Sequence, residues 1–215
     1  MRDLAKNVLL LLLLACVLFV FWGYVRATPS AQTHAQSPSA TVTQADIHPA
    51  EESRHLIRVN QWDVSQYANQ QEYDDWHLST CSSAALTVVI NYYTGQAYRL
   101  TDILHAQLAV KAISAQLGLL DEDGITRTAA RFGLGTATSH VRTLDELIAL
   151  AQQGEPSIVS FPPPAFDGGH IIVLAGGDTQ NVRLVDSSRL NIQIMDRATF
   201  LKDWRGFSAI LQKSA

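Results

Sequence analysis

The feature that most constrains this chain is the stretch from Ser79 to Gly95. It reads as a polar step, Ser79-Thr80, then Cys81-Ser82-Ser83-Ala84-Ala85-Leu86-Thr87-Val88-Val89-Ile90-Asn91-Tyr92-Tyr93-Thr94, then Gly95. A polar cap, a segment apolar over most of its circumference and a glycine stop specify a helix buried in the centre of a domain. Cys81 stands in its first turn. There the unpaired backbone N–H groups and the positive end of the helix dipole favour a thiolate, so the residue is either a small buried side chain or a nucleophile.

The compartment bears on that choice. After Arg2 and Lys6 an apolar run extends from Val8 to Val25 and ends at Arg26. At about 1.5 Å per residue it is long enough to cross a bilayer, and longer than the ~7–15 apolar residues of a cleaved secretory signal. Trp22 and Tyr24 suit an interfacial belt, and the basic residues favour an inside N-terminus. Leu13-Leu14-Ala15-Cys16 is only faintly like a lipoprotein site, because the apolar run continues past Cys16. Residues 27–50 are Thr, Ser, Ala, Gln and Pro with hardly a large apolar side chain, the composition of a solvated tether. The expected organisation is therefore a cytoplasmic start (1–6), a single transmembrane anchor (7–26), a linker (27–52) and an extracytoplasmic folded domain (53–215), at the cell surface or in a periplasm.

Beyond the anchor the only cysteine is Cys81, so the domain has no internal disulfide, and a lone thiol in an oxidising compartment is either sealed or kept for chemistry. From Glu51 onward 18 acids stand against 13 Lys plus Arg, which leaves no basic footprint for nucleic acid. Hydrophobic content of 47% in 215 residues supports one core of ordinary size.

Along the folded part, Leu56 to Asn60 reads as a short strand or extended entry, and Gln61 to Leu78 as a loop with one helical turn. A second helix is expected from Asp102 to Leu117, on the spacing of Ile103, Leu104, Leu108, Ala109 and Ile113. A third, shorter one opens at Asp121-Glu122-Asp123-Gly124 and ends near Phe132-Gly133. Those acids lack the alternating spacing of a calcium loop and read as a helix cap. Thr136 to Val141 is a strand, and Thr143-Leu144-Asp145-Glu146 opens an amphipathic helix reaching Gly154. Then come strands at Ser157–Phe161, Gly169–Ala175 and Asn181–Asp186, a hairpin signal at Gly176-Gly177-Asp178, Ile192–Met195, a short helix from Arg197 to Trp204, and a last strand from Phe207 to Leu211. Helices first and an antiparallel sheet after them make an α+β domain.

A cysteine nucleophile needs a base, a group that orients the base, and donors for a developing oxyanion. His170 begins a buried-looking strand directly after Gly168-Gly169, and Asp186 ends the next strand, within reach of the imidazole in an antiparallel pair. Taken singly, His170 reads equally as a structural histidine and Asp186 as a turn residue before Ser187-Ser188. Other constellations fail on spacing. His77 and Cys81 lack two further ligands for a metal, and the glycine pairs lack the strand-turn-helix setting of a phosphate loop. No cofactor is implied.

Cys81 at the head of the helix ending Asn91-Tyr92-Tyr93-Thr94-Gly95, the run Gly169-His170-Ile171-Ile172-Val173-Leu174-Ala175-Gly176-Gly177, and Asp186 together resemble the papain-like cysteine peptidases of the double-glycine leader, bacteriocin-processing type. The resemblance spans roughly Arg58 to Gln212, with Phe200, Leu201, Trp204 and Gly206 resembling the family's C-terminal end. It implies a papain-like α+β fold with a central helix on an antiparallel sheet. It further implies a Cys81–His170–Asp186 triad, an oxyanion hole formed by the Cys81 amide and Gln66 of Val64-Ser65-Gln66, and a peptide or protein substrate. Gln70 and Gln71 compete with Gln66. The chain departs from the family pattern where Ser82-Ser83 follow the nucleophile in place of the Gly, often with Pro next, found in many members, and this bears on activity rather than fold. Two other readings stand beside the peptidase: an inactive binding module on the same fold, and an amidase or acyltransferase acting on a non-protein amide.

Overall fold

In the computed structural model, which describes residues 55–213, the Cys81 stretch is the helix that its sequence specifies. The expected anchor, linker and Cys16 lie outside the described residues. Among the described residues no helix is long and apolar enough to cross a membrane.

The approach to Cys81 holds more helix than expected. Leu56 to Asn60 is extended but pairs with no strand. Asp63 then caps a 3-10 turn at Val64–Gln66 by accepting the Ser65 amide. Asn69 caps α1 (Gln70–Trp76) by accepting the Glu72 amide, while Glu72 accepts the Ala68 amide in return. Short polar side chains at two helix starts, rather than apolar periodicity, make these elements.

Helix α2 (Cys81–Thr94) is buried continuously from Ser82 to Ile90 and stops at Gly95, whose φ of 68° is the left-handed conformation glycine adopts without strain. Helix α3 (Leu100–Ala109) is shorter than the 102–117 span expected. The chain turns out through Lys111 at φ 54°, the Ala112 amide donates to the Gln107 carbonyl, and β1 (Ile113–Ser114) and β2 (Gly118–Leu119) form a small hairpin. Ile113 sits at helical spacing yet is buried from a strand, so one apolar residue satisfied either period. Helix α4 (Asp123–Ala130) starts where the Asp121 carboxylate accepts the Gly124 amide.

The remaining elements are mostly strands, with one helix after the first and one before the last: β3 (Leu134–Ser139), α5 (Leu144–Gln152), β4 (Ser157–Phe161), β5 (His170–Gly177), β6 (Asn181–Val185), β7 (Ile194–Asp196), α6 (Arg197–Asp203) and β8 (Ser208–Lys213). Thr143 and Glu146 close a reciprocal capping box on α5. Six strands form one antiparallel sheet in the order β3-β8-β4-β5-β6-β7, so the last strand of the chain lies inside it. The sheet is covered on both faces. On β5, Ile171 and Val173 pack with Leu86, Val89 and Ile90 of α2, whereas Ile172 and Leu174 pack with Leu147 of α5 and Phe200 of α6. Two-sided burial explains why β5 reads as an unbroken apolar run, and each such side chain stabilises the fold by about 1.5–3 kcal/mol.

Candidate active site

Cys81 is the first residue of α2, part-buried, with Thr80 before it as the cap residue. Thr80 does not cap the helix. Its hydroxyl is engaged by the Tyr67 hydroxyl at 2.8 Å, and Tyr67 in turn donates to the Gln61 carbonyl at 2.7 Å. Burial holds the Tyr67 phenol well above its ordinary pKa, so it stays a donor. With the Thr80 side chain turned away, the N–H groups at the start of α2 are left for another acceptor.

His170 opens β5 opposite Phe161 of β4, and the sharp entry to it is made by Gly168 and Gly169 at φ 73° and 82°. A side chain at 169 would press on Pro163 and the Phe161 carbonyl, so this glycine serves the turn itself. The imidazole lies beside the Phe166 ring and is almost wholly buried. Its Nε2 is 2.8 Å from Oδ1 of Asp186, which has no exposed surface. The same carboxylate accepts the Ser188 amide at 2.8 Å, the Ser188 hydroxyl at 2.7 Å and the Ile192 amide at 2.8 Å. Arg58 holds the main chain of this corner, donating to the Asp186 carbonyl at 2.5 Å and the Ser188 carbonyl at 2.7 Å.

These contacts set the charges. Burial alone would strip the proton from His170, but hydrogen bonds to Asp186 and Cys81 and the charges of both partners outweigh it and raise the imidazole to about 9. Burial likewise works against ionising Asp186, yet the His170 bond and those from Ile192 and Ser188 hold the carboxyl far below the usual range. With Nε2 committed to Asp186, Nδ1 is the nitrogen left for Cys81. The structure thus brings Cys81, His170 and Asp186 together. Cys81 and His170 share a cleft of about 390 Å³ whose walls include Ser79, Gly118 of the β1–β2 hairpin, Pro163 and Gly169.

The glutamines proposed for an oxyanion hole lie elsewhere. Gln66 accepts the Leu100 amide at 3.4 Å and lines a different cleft with Val88, Asn91 and Tyr92, at the C-terminal half of α2 and not at Cys81. Gln70 and Gln71 bond Asp74 and Asp75 one turn on, along the exposed side of α1. The glutamine that the sequence reading passed over is Gln61. It is buried, donates to the His77 carbonyl at 2.9 Å and accepts the Ser187 hydroxyl at 2.6 Å, so it joins the segment before Cys81 to the corner carrying Asp186. The available signal was its place at the end of the extended entry, where a polar residue meets the core.

Ser82 and Ser83 do not face the cleft. Both are buried and held by Gln107 of α3, which donates to the Ser82 hydroxyl at 3.2 Å and accepts from the Ser83 hydroxyl at 2.5 Å. His77 stacks on Tyr73 and binds its carbonyl at 2.8 Å. Among the described residues no three His, Cys, Asp or Glu side chains stand together as metal ligands.

A cysteine-led helix buried against an antiparallel sheet, with a histidine opening one strand hydrogen-bonded to an aspartate just past the end of the next, defines the papain-like class of α+β domains. Residues 60–211 match the model of the Peptidase_C39 like family, and the chain belongs to that family. The crystal structure of the peptidase domain of Streptococcus ComA, a bi-functional ABC transporter involved in a quorum-sensing pathway, is similar with a TM-score of 0.57 at 19% identity, covering 74% of this chain and 100% of that one. A C39-like peptidase from Bacillus anthracis is similar with a TM-score of 0.52 at 11% identity, over 76% of this chain and 97% of its own. At such identities the likeness is one of fold. No curated protein matches the chain.

Proposed function

We propose that this chain is a cysteine peptidase-like hydrolase acting on peptide amides, tethered outside the cytoplasm by Val8–Val25. The observation that carries the reading is the buried His170 imidazole, bonded through Nε2 to Asp186 and sharing the cleft with Cys81. In the proposed cycle Nδ1 of His170 takes the Cys81 proton. The thiolate then attacks the scissile carbonyl carbon, and its oxygen gathers charge facing the Cys81 amide at the start of α2. His170 returns the proton to the leaving amine as the C–N bond breaks, leaving a thioester on Cys81. Water, deprotonated by His170, attacks the thioester, and the acid departs with the thiol restored. Asp186 keeps Nε2 protonated throughout.

Incubating the purified full chain with a defined peptide library and reading the products by mass spectrometry tests this. Cleavage by the native protein that is lost in Cys81→Ser is the expected result. A folded native chain whose product pattern matches that of Cys81→Ser would overturn it.

A further inference from the structure

Cys81 is flanked by two buried clamps, and the second of them is not among the residues that perform the proposed chemistry. On one side Thr80 is tied through Tyr67 to the Gln61 carbonyl. On the other, Ser82 and Ser83 are tied to the side chain of a single residue, Gln107, which has no exposed surface. Within the first turn of α2 the main chain offers little restraint of its own. The Thr80 carbonyl accepts the Ala84 amide at 2.9 Å, but the amides of the first turn have no carbonyl one turn back to bond.

We infer that Gln107 is a positioning residue that lets Ser82 and Ser83 follow the nucleophile by holding both hydroxyls away from the cleft. The inference rests on the hydrolase reading for its functional meaning, but the arrangement itself is geometric. A primary amide is uncharged and offers an acceptor to one serine and a donor to its neighbour from a single plane. An ionised Glu would keep the acceptor and lose the donor; Leu would lose both. Two hydroxyls buried without partners would each turn toward the nearest polar groups, and those include the uncapped start of α2, where Cys81 sits. Gln107 also accepts the Ala112 amide at 2.8 Å through its main chain, and the Ala112 carbonyl accepts Leu120 of the cleft wall at 2.9 Å. One residue thereby holds the turn that carries Cys81 and the root of the wall beside it.

The test is a cycle of variants in the full chain. Iodoacetamide labelling of Cys81, followed by peptide mapping that separates it from Cys16, reports the turn without needing a substrate. Gln107→Leu is expected to slow labelling at pH 7.5 about tenfold, and to lower kcat similarly on any peptide the native chain cleaves, with KM moved less than twofold. Adding Ser82→Ala and Ser83→Ala leaves only apolar groups in contact, and is expected to restore labelling to within about threefold of native. If circular dichroism shows Gln107→Leu unfolded, Gln107→Met replaces it, with relief again expected from Ser82→Ala and Ser83→Ala together. Labelling of the folded Gln107 variant within twofold of native, or no relief from the serine changes, overturns the inference. A native chain that labels as expected but cleaves nothing would instead count against the hydrolase reading and leave the positioning role standing.

Discussion

Replacing Asp186 by Asn tests the candidate site most directly, because the change keeps shape and removes charge. The carboxylate faces four donors: His170 Nε2, the Ser188 amide and hydroxyl, and the Ile192 amide. An Asn side chain has one oxygen and one NH2, so it cannot accept from both edges. With its oxygen toward His170 and the Ser188 amide, its NH2 meets the Ile192 amide donor to donor. Flipped, it leaves the Ser188 amide unpaired and asks His170 Nε2 to accept, which moves the ring proton to Nδ1 and blocks that nitrogen as a base. Either way one buried backbone N–H is orphaned, at about 1–3 kcal/mol. His170 loses in addition the partner that most strongly raises it to about 9, while the burial that opposes its charge remains. The Cys81 hydrogen bond and charge still raise it, so the imidazole falls from about 9 toward its ordinary value and the imidazolium fraction at pH 7.5 falls with it. The expected outcomes are a urea midpoint shift worth about 1–3 kcal/mol, a His170 ring titration by NMR that moves clearly below that of the native chain, and about tenfold slower labelling of Cys81 at pH 7.5. A variant whose His170 still titrates near 9, with unchanged labelling, would refute the argument that Asp186 sets the charge of this pair.

His170→Ala in the folded chain should slow Cys81 labelling near neutral pH, since the thiol loses its base and counter-charge; an unchanged rate constant would make Cys81 a packed thiol only. The pair also predicts a pH profile for stability. His170 is raised in the folded state, so its contribution is complete below about 6.5 and is lost as pH climbs toward 9. Asp186 is lowered, so its contribution is present above about 4 and lost on acidification. Thermal melts across pH 3–10 should therefore peak between those limits, and an optimum at pH 9 or above would contradict the signs. Leu86→Ala, at a wholly buried site in α2, should cost about 2–5 kcal/mol in denaturant unfolding. Mass spectrometry of the protein isolated from membranes should find Val8–Val25 retained, and a mature N-terminus at or after Ala27 would remove the proposed anchor.

The central helix, the α+β class and the sheet strands from Ser157 onward were legible in the sequence. Each rests on a local rule: a glycine stop at Gly95, a capping box at Thr143 and Glu146, and β-branched runs separated by Gly and Pro. Cys81, His170 and Asp186 were legible as a set for the same reason, since each sits at an end of such an element. Misreadings arose where one local rule had two outcomes. Ile113 extends the helical period of α3 equally well as it fills a strand position, and only the turn through Lys111, with Ala112 bonded back to Gln107, decided for the hairpin. The choice of glutamine failed more deeply. Gln61, Gln66, Gln70 and Gln71 are alike in type and close in sequence, and which of them is buried beside the nucleophile's segment depends on how the chain before α2 folds back. Asp63 and Asn69 build two short helical pieces there, which carry Gln66 to the other half of α2 and leave Gln61 between His77 and Ser187. The meaning of Ser82-Ser83 was likewise out of reach, because their partner is 24 and 25 residues away on another helix. The insertion of β8 between β3 and β4 belongs with these cases. Periodicity and capping act over a few neighbouring residues and are written in their order, whereas pairing between distant segments is chosen by the burial and hydrogen bonding of the whole domain, and exists only once the chain has folded.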